Sequence, residues 1–412
     1  MTHPKMLHTY VGIDSHKDTH TAVFLDCFFE KLGELSFGNT TPDFEKFLDN
    51  AQKFLIDGTS FLFGLEDTSK FGRALAYFLT ASGHAVKHVN AYLVAGERKN
   101  RNMEKTDSGD AECAARLLIT EFGKLPDADN DEKYHMLRTL VVRRDFLTRN
   151  NRAIQSYIHS LLTIDFPNYH RFFSALTKKS AIAFFTTYPS PDKLAGVTAE
   201  ELGEFLRENS NKILDVKRAM LILESVDTTA KPTPTHEIRN KTVLSAFRQL
   251  TFNMEETENI ERDLTVVYKS FNVTLTSLMG LDTVTASQLL SCIGDIRNFA
   301  TPAKLARYAG IAPVSHSSGN KDTRFANQRG DRELNSIIYN LAVRLIVTFK
   351  PKNKAQNAFF HEYYNKKLSE GKTKRQALKC VQRRLVNILW TMLTRNEDYV
   401  NPPYIEFDKA RT

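Results

Sequence analysis

The sequence predicts an α/β domain followed by a long all-α remainder. Three observations carry this: short β-branched and apolar runs separated by turns in the first 90 residues, apolar residues at intervals of seven from Leu140, and short helical segments broken by glycines in the last third. Thr9 to Ile13 is a β-branched, aromatic run ending at Asp14, and Thr21 to Leu25 follows a polar turn, so the two predict a hairpin. Phe61 to Leu65 has the composition of a buried strand and puts Glu66 at its C-terminal edge. Phe71 to Ala81 predicts a helix and Ala85 to Val89 another strand, which completes an α/β pattern. From Asp107 through Leu117 the chain reads as helix.

Beyond this point helix dominates. Leu140, Leu147, Ile154 and Leu161 recur at intervals of seven, with Arg138, Arg143, Arg144, Arg149 and Arg152 on other faces of the same long helix. Such a seam serves either an intramolecular core or a partner helix. A second helical region opens at Thr198, where Glu201 three residues on makes a capping-box pattern, and closes near Val226. Asp227 to Thr235, with two prolines and four threonines, reads as a linker, and a further helix carrying Leu250, Met254 and Leu264 runs to about Phe271. The segment from Met279 to Pro313 places turn-forming glycines between short helices, a layout resembling helix-hairpin-helix units, whose backbone N–H groups can hold phosphates. Expected boundaries are 1–130, 131–272 and 273–412.

The bulk composition narrows the class. A chain of 412 residues with 42% hydrophobic and 25% charged residues is a globular protein of two or three domains. A net charge of +8 and a pI near 9.1 favour polyanions, nucleic acid above all. The four cysteines Cys27, Cys113, Cys292 and Cys380 lie far apart, suggesting neither a zinc site nor a disulfide framework and fitting a reducing cytoplasm. The longest apolar stretch, Ile337 to Phe349, is broken by Asn340 and Arg344, and Met1 to Tyr10 has no signal-peptide core, so no membrane role is expected.

Four carboxylates stand out: Asp14 and Glu66 at two strand ends, and Asp107 and Asp110 three apart on a helix, hence on one face. Each has a local alternative: Asp14 in a turn, Glu66 at a solvated strand end, Asp107 as a helix N-cap. Their joint occurrence points to a ribonuclease-H-like site. Carboxylates crowded in this way repel unless cations bridge them, and oxygen donors suit Mg²⁺, with two ions in a site of this type. The polar stretch VSHSSGNKDTRFANQRGDRELN is expected to be a loop ahead of a helix, with Arg324 and Arg329 available to phosphates. Lys372, Lys374, Arg375, Lys379, Arg383 and Arg384 make a basic face without an acid between them, and together with Arg143 and Arg144 they are the expected nucleic-acid contacts.

The order GIDSHKD, GLED, KTDSGDA, then GIAPVSHSSG and RGDRELN, resembles the DEDD insertion-sequence transposases of the group numbered one hundred and ten, relatives of the Piv-type DNA invertases. The likeness extends over nearly the whole chain, through RTLVVRRDFLTRNNR, FPNYHRFF, YPSPDKL and KKLSEGKTKRQALKCVQRR. It implies a RuvC-like N-terminal domain, a coiled-coil middle and a mostly helical C-terminal transposase domain. By the same resemblance Asp14, Glu66, Asp107 and Asp110 would hold Mg²⁺, and Ser318 would be the nucleophile that attacks DNA. A structured non-coding guide RNA pairing with donor and target DNA, and a tetramer built as a dimer of dimers, are also implied. A serine is a weak nucleophile that needs activation or charge stabilisation at the phosphate. A covalent phosphoserine would conserve bond energy for rejoining, whereas water at the same site would only cut.

The chain departs from the family pattern in places. Asp67, Thr68 and Ser69 follow Glu66 where Ala-Thr-Gly is usual, Asn327, Gln328 and Arg329 replace the usual Ser-Lys, Ser317 adjoins Ser318, and Asp282 stands where a second glycine is common. Two other classes remain open: a RuvC-type junction nuclease with no covalent step, and a nucleic-acid-binding protein that keeps the fold without catalysis.

Overall fold

A computed structural model describes residues 3–66, 71–128, 132–226, 235–318, 321–325, 327, 330–349, 354–355 and 357–400, with the strands between 314 and 325 and between 348 and 355 described by backbone alone. The chain divides into two compact units, each assembled from separated segments: 1–135, 293–335 and 382–395 in the first, 136–292, 336–381 and 396–412 in the second.

The first unit is built on a five-stranded sheet. β1 (His8–Ser15), β2 (Thr19–Leu25) and β3 (Lys31–Gly38) form an antiparallel meander, α1 (Thr41–Ala51) follows, and β4 (Ser60–Leu65) pairs parallel to β1. After α2 (Arg73–Ala81), β5 (Ala85–His88) joins β4 in parallel, giving the order β3-β2-β1-β4-β5. α3 (Ala91–Asn100) and α4 (Asp107–Thr120) complete this part. The expected hairpin is β1 and β2, and the later strands fall where their apolar runs placed them. β3 was not anticipated, because its KLGELSFG sequence exposes or half-exposes every position and so lacks a continuous apolar run.

Side-chain alternation sends β1 residues to two cores. Val11 and Ile13 meet Phe24, Phe61, Phe63 and the α1 and α2 residues Phe44, Phe47 and Leu75 on one face. Tyr10 on the other face joins Leu62 and the α4 residues Ala111, Ala115 and Leu118. Gly12 shares the α4 face, and so does Gly64, its partner in register. A Cβ at Gly12 would lie 2.1 Å from the Ala111 carbonyl oxygen and 2.2 Å from the Ala115 nitrogen, so the backbone of α4 rests directly on β1.

The second unit is helical. α5 (Glu132–Asp165) enters it, and α6 (Lys179–Thr187), α7 (Ala199–Glu208), α8 (Val216–Glu224) and α9 (His236–Lys269) surround a core that includes Phe166, Phe172, Phe184, Phe185 and Phe247. Ion pairs of Arg144 with Glu261 and of Arg239 with Asp165 set α5 and α9 antiparallel. The heptad seam therefore meets a partner within the chain. Only Leu147 of its four positions is fully buried; the other fully buried residues of α5 are Leu137, Val141, Ile158 and Leu162. A strict period of seven drifts around a straight helix of 3.6 residues per turn, and over 34 residues the core-facing stripe moves off it. Thr198 and Glu201 form the expected capping box, at the start of α7, and the second helical region consists of α7 and α8. Apart from Thr235, the expected linker lies outside the described residues.

The remaining elements are α10 (Thr283–Ile293), α11 (Pro302–Tyr308), β6 (Val314–Ser318), β7 (Lys321–Phe325), α12 (Arg332–Ile346), β8 (Thr348–Phe349), β9 (Lys354–Ala355), α13 (Ala358–Ser369) and α14 (Lys374–Arg395). The stretch expected as a polar loop is thus a β-hairpin, with Ser318 opposite Lys321 and Arg324 opposite Ser315. Val314, Thr323 and Phe325 supply β-forming residues that the abundance of polar side chains disguised.

Candidate active site

Asp14 is the penultimate residue of β1, two positions after Gly12 and on the same face of the strand. Because α4 lies against Gly12 through Ala111, its first turn sits above Asp14. Thr106 caps that turn, its hydroxyl accepting from the Gly109 N–H at 3.0 Å, so Asp107 is the first helical residue rather than the cap. Ser108 donates to Glu34 of β3 at 2.6 Å, and Lys31 reaches the same carboxylate at 2.7 Å, which ties the turn to the sheet. Lys31 and Ser108 together hold the Glu34 carboxyl below its ordinary value.

The tertiary structure joins a residue that sequence reasoning passed over. His16 Nε2 lies 3.2 Å from Asp14 Oδ2 and 3.2 Å from Asp107 Oδ1, and the three donor groups fall within 4.8 Å of one another. The available signal was the i, i+2 spacing of Asp14 and His16 at a strand end, which puts both on one face. Burial raises the Asp14 pKa, and Asp107 and Asp110 add to that while His16 opposes it. Burial lowers the His16 pKa, but Asp14 and Asp107 outweigh it and leave the imidazole above its ordinary value. A buried carboxyl crowded by two others, with an imidazole bridging toward one of them, is a donor set for a hard divalent cation.

Glu66 follows β4, and its backbone N–H donates to the Ile13 carbonyl at 3.3 Å, so Asp14 and Glu66 leave adjacent parallel strands side by side. The face that carries Leu62 and Gly64 carries Glu66 as well. Asp110 is buried and its carboxylate is paired with Arg98 of α3.

The C-terminal segment is held at the base of its hairpin. Gly330 passes so close to Gly310 that a Cβ on Gly330 would lie 2.2 Å from the Gly310 nitrogen, while Asn335 donates to the Ala309 carbonyl at 2.7 Å and Asn327 to the Arg307 carbonyl at 2.8 Å. Asp331 accepts from the Leu334 N–H at 2.7 Å and so opens α12. Motif residues around RGDRELN therefore join the segments that flank the hairpin, whose first strand carries Ser317 and Ser318. In the hairpin-like element Asp282 accepts from the Thr285 N–H at 2.7 Å and pairs with Arg344 at 3.0 Å, a helix-capping role.

The expected nucleic-acid contacts divide. Arg143 is exposed on α5, its guanidinium 5.6 Å from the centroid of the Phe146 ring, whereas Arg144 is committed to Glu261. Lys374, Arg375 and Lys379 are exposed on α14, Lys372 pairs with Glu370 at 3.5 Å, and Arg383 and Arg384 are half-buried. Arg329 lies outside the described residues. No helix among the described residues is long and apolar enough to cross a membrane.

Known proteins share both ends of this arrangement. A family model described as transposase, for the DEDD domain of IS110, matches residues 11–167, and one described as transposase of the IS116/IS110/IS902 family matches residues 272–358. The chain is 25% identical over 390 residues to an uncharacterized 44.8 kDa protein of insertion element IS116 from Streptomyces clavuligerus, covering 93% of this chain and 94% of that one. It is 22% identical over 400 residues to a pilin gene-inverting protein of Moraxella bovis, covering 96% and 98% of the two chains. A transposase for insertion sequence element IS1111A from Coxiella burnetii is 27% identical over 165 residues, 39% of this chain and 44% of that one. These matches, together with an acidic site at the end of a mixed sheet, define a transposase, an enzyme that cuts and rejoins DNA. The chain carries a DEDD transposase domain of the IS110 type and a transposase domain of the IS116/IS110/IS902 family.

Proposed function

We propose that this transposase exchanges DNA strands through a covalent serine–phosphate intermediate, with Ser318 as nucleophile and Mg²⁺ at the carboxylate site. The observation that carries the reading is the meeting of Asp14 at the end of β1 with Asp107 and Asp110 in the first turn of α4, at the end of the sheet where Glu66 also emerges. The strand order β3-β2-β1-β4-β5, with β2 antiparallel and β4 parallel to β1, supports a ribonuclease-H-like domain of RuvC type.

Asp14, Asp107 and Glu66 would hold the ion with His16 beside them; when bound, Mg²⁺ supplies charge stabilisation for the oxygens that attack and leave phosphorus. The chain's own residues do the rest. His16, 3.2 Å from both Asp14 and Asp107, orients the two carboxylates, and basic residues of α14 and Arg143 bind the DNA backbone. The Ser318 oxygen bonds to phosphorus as the strand's own O–P bond breaks, and the proton lost from the serine is balanced by one gained at the displaced oxygen, which leaves as a free hydroxyl at the strand end. Reversal on a different strand restores a phosphodiester, so the number of such bonds is conserved. Division into a metal-binding segment at 1–130, a helical segment at 131–272 and a serine-bearing segment at 273–412 fits this scheme. A structured guide RNA, with donor and target DNA as its pairing partners, and a tetramer are part of the same reading.

The test uses labelled DNA on denaturing gels with and without protease. Ser318→Ala should eliminate the protein–DNA adduct and recombination, Ser317→Ala should retain both, and Asp14→Asn should stop strand cleavage while the fold persists. Continued nicking by Ser318→Ala, with no adduct from the wild type, would show that water is the nucleophile.

A further inference from the structure

The carboxylates of the site fall into two groups. Asp14 and Asp107 meet at His16, while Asp110 turns to the guanidinium of Arg98. Both members of that pair are largely withdrawn from water, their side chains 10% and 19% exposed respectively. A charge-assisted bond in such surroundings is strong, and it tethers the guanidinium beside Asp110. Asp110 is therefore already neutralised by a cation that belongs to the chain. A second divalent ion there would have to expel Arg98 or crowd against it.

Arg98 also has capacity to spare. A guanidinium carries five N–H donors, of which Asp110 accepts one bond through Nη1. None of its nitrogens is among the buried polar atoms that lack a partner, so the unused donors open to solvent. Exposed Lys99 and Lys105 follow it in the chain and add positive charge on the way from α3 to the site, while Arg101 is paired with Glu97 at 2.7 Å and Glu104 lies between them.

We propose that Arg98, held by Asp110, grips a phosphate oxygen of the DNA strand beside Asp14, His16 and Asp107, so that the site works with one divalent ion and one guanidinium instead of two ions. This rests on the divalent-ion reading of the acidic site. A tethered guanidinium need not be recruited from solution, and it can stabilise charge that develops on phosphate oxygens during transfer. On this proposal the site takes one ion where the four carboxylates by themselves predict two.

The experiment titrates Mn²⁺ into the full-length protein by calorimetry, for the wild type and for Arg98→Met, Arg98→Lys, Asp110→Asn and Asp14→Asn, with circular dichroism to confirm folding. One ion per chain is expected in the wild type, retained in Arg98→Met and Asp110→Asn and lost in Asp14→Asn. DNA cleavage by Arg98→Met should fall on the order of 10²–10³-fold, as on removal of a transition-state charge donor. The log–log salt dependence of DNA binding should flatten by about one unit in that variant, and Arg98→Lys should recover part of both losses. Two ions per chain in the wild type would overturn the proposal alone. So would Arg98→Met cleaving at the wild-type rate, or losing the ion as Asp14→Asn does. No Mn²⁺ binding by the wild type would instead remove the divalent-ion reading, and this proposal with it.

Discussion

Replacing Gly12 by alanine tests whether close packing of helix on strand assembles the acidic site. The new methyl group would sit 2.1 Å from the Ala111 oxygen and 2.2 Å from the Ala115 nitrogen, where ordinary contact begins near 3.4 Å. These are backbone atoms of α4, so no side-chain rotation can relieve them, and α4 must lift from β1 by roughly 1 Å. Overpacking of this kind costs about 1–3 kcal/mol, and a fully backbone contact belongs at the upper end. For a unit of this size each kcal/mol lowers Tm by roughly 2–4 °C. Ala111 directly follows Asp110, so the lift is felt where the carboxylates gather, and a misplacement of about 1 Å at a catalytic constellation can cost ~10²-fold in rate. Gly96→Ala is the control: a Cβ there meets nothing within 4 Å, so within α3 it should be neutral or stabilise by about 0.5–1 kcal/mol. Thermal unfolding and a strand-cleavage time course on both variants decide the matter. Wild-type Tm and cleavage rate in Gly12→Ala would refute the reasoning.

Two further outcomes are expected. Burial raises the Asp192 pKa, but the Ser190 hydroxyl at 2.5 Å and His236 Nε2 at 2.8 Å outweigh it and hold the carboxyl below its ordinary value. A depressed carboxylate contributes stability above its unfolded pKa, about 3.9, and loses it as pH falls through the folded value. Urea unfolding should therefore find Asp192→Asn less stable than the wild type near neutrality, with the gap closing below about pH 4; a constant gap would dismiss the linkage. Neutralising Lys374, Arg375 and Arg383 together should weaken DNA or RNA binding and flatten its salt dependence by about one unit for every phosphate that is no longer neutralised. An unchanged slope would mean that this face of α14 does not touch the backbone.

The strands that carry Asp14 and Glu66 were legible because their interiors are apolar and each ends in a charge. The capping box at Thr198 and Glu201 was equally legible, because helix initiation depends on residues three apart. Other elements were hidden. The polar serine segment folds as a hairpin whose flanking segments are joined at Gly310, Gly330, Asn327 and Asn335, through close packing and hydrogen bonds that span up to 26 residues of sequence. The heptad count on α5 found a long helix but placed its buried stripe imperfectly, since the partner α9 and helical drift decide which positions face the core.

The sequence by itself determined the kind of chemistry: four carboxylates on a strand end, a second strand end and one helix face, in a basic chain with a serine-rich segment near its other end. Only the tertiary structure decided how those groups divide. The glycine trough at Gly12 and Gly64 lets α4 descend onto the sheet, which brings Asp107 to His16 and Asp14 and leaves Asp110 to Arg98. Residues 14, 98 and 110 lie on three elements with no periodic relation to one another, and their pairing depends on how closely two backbones can approach.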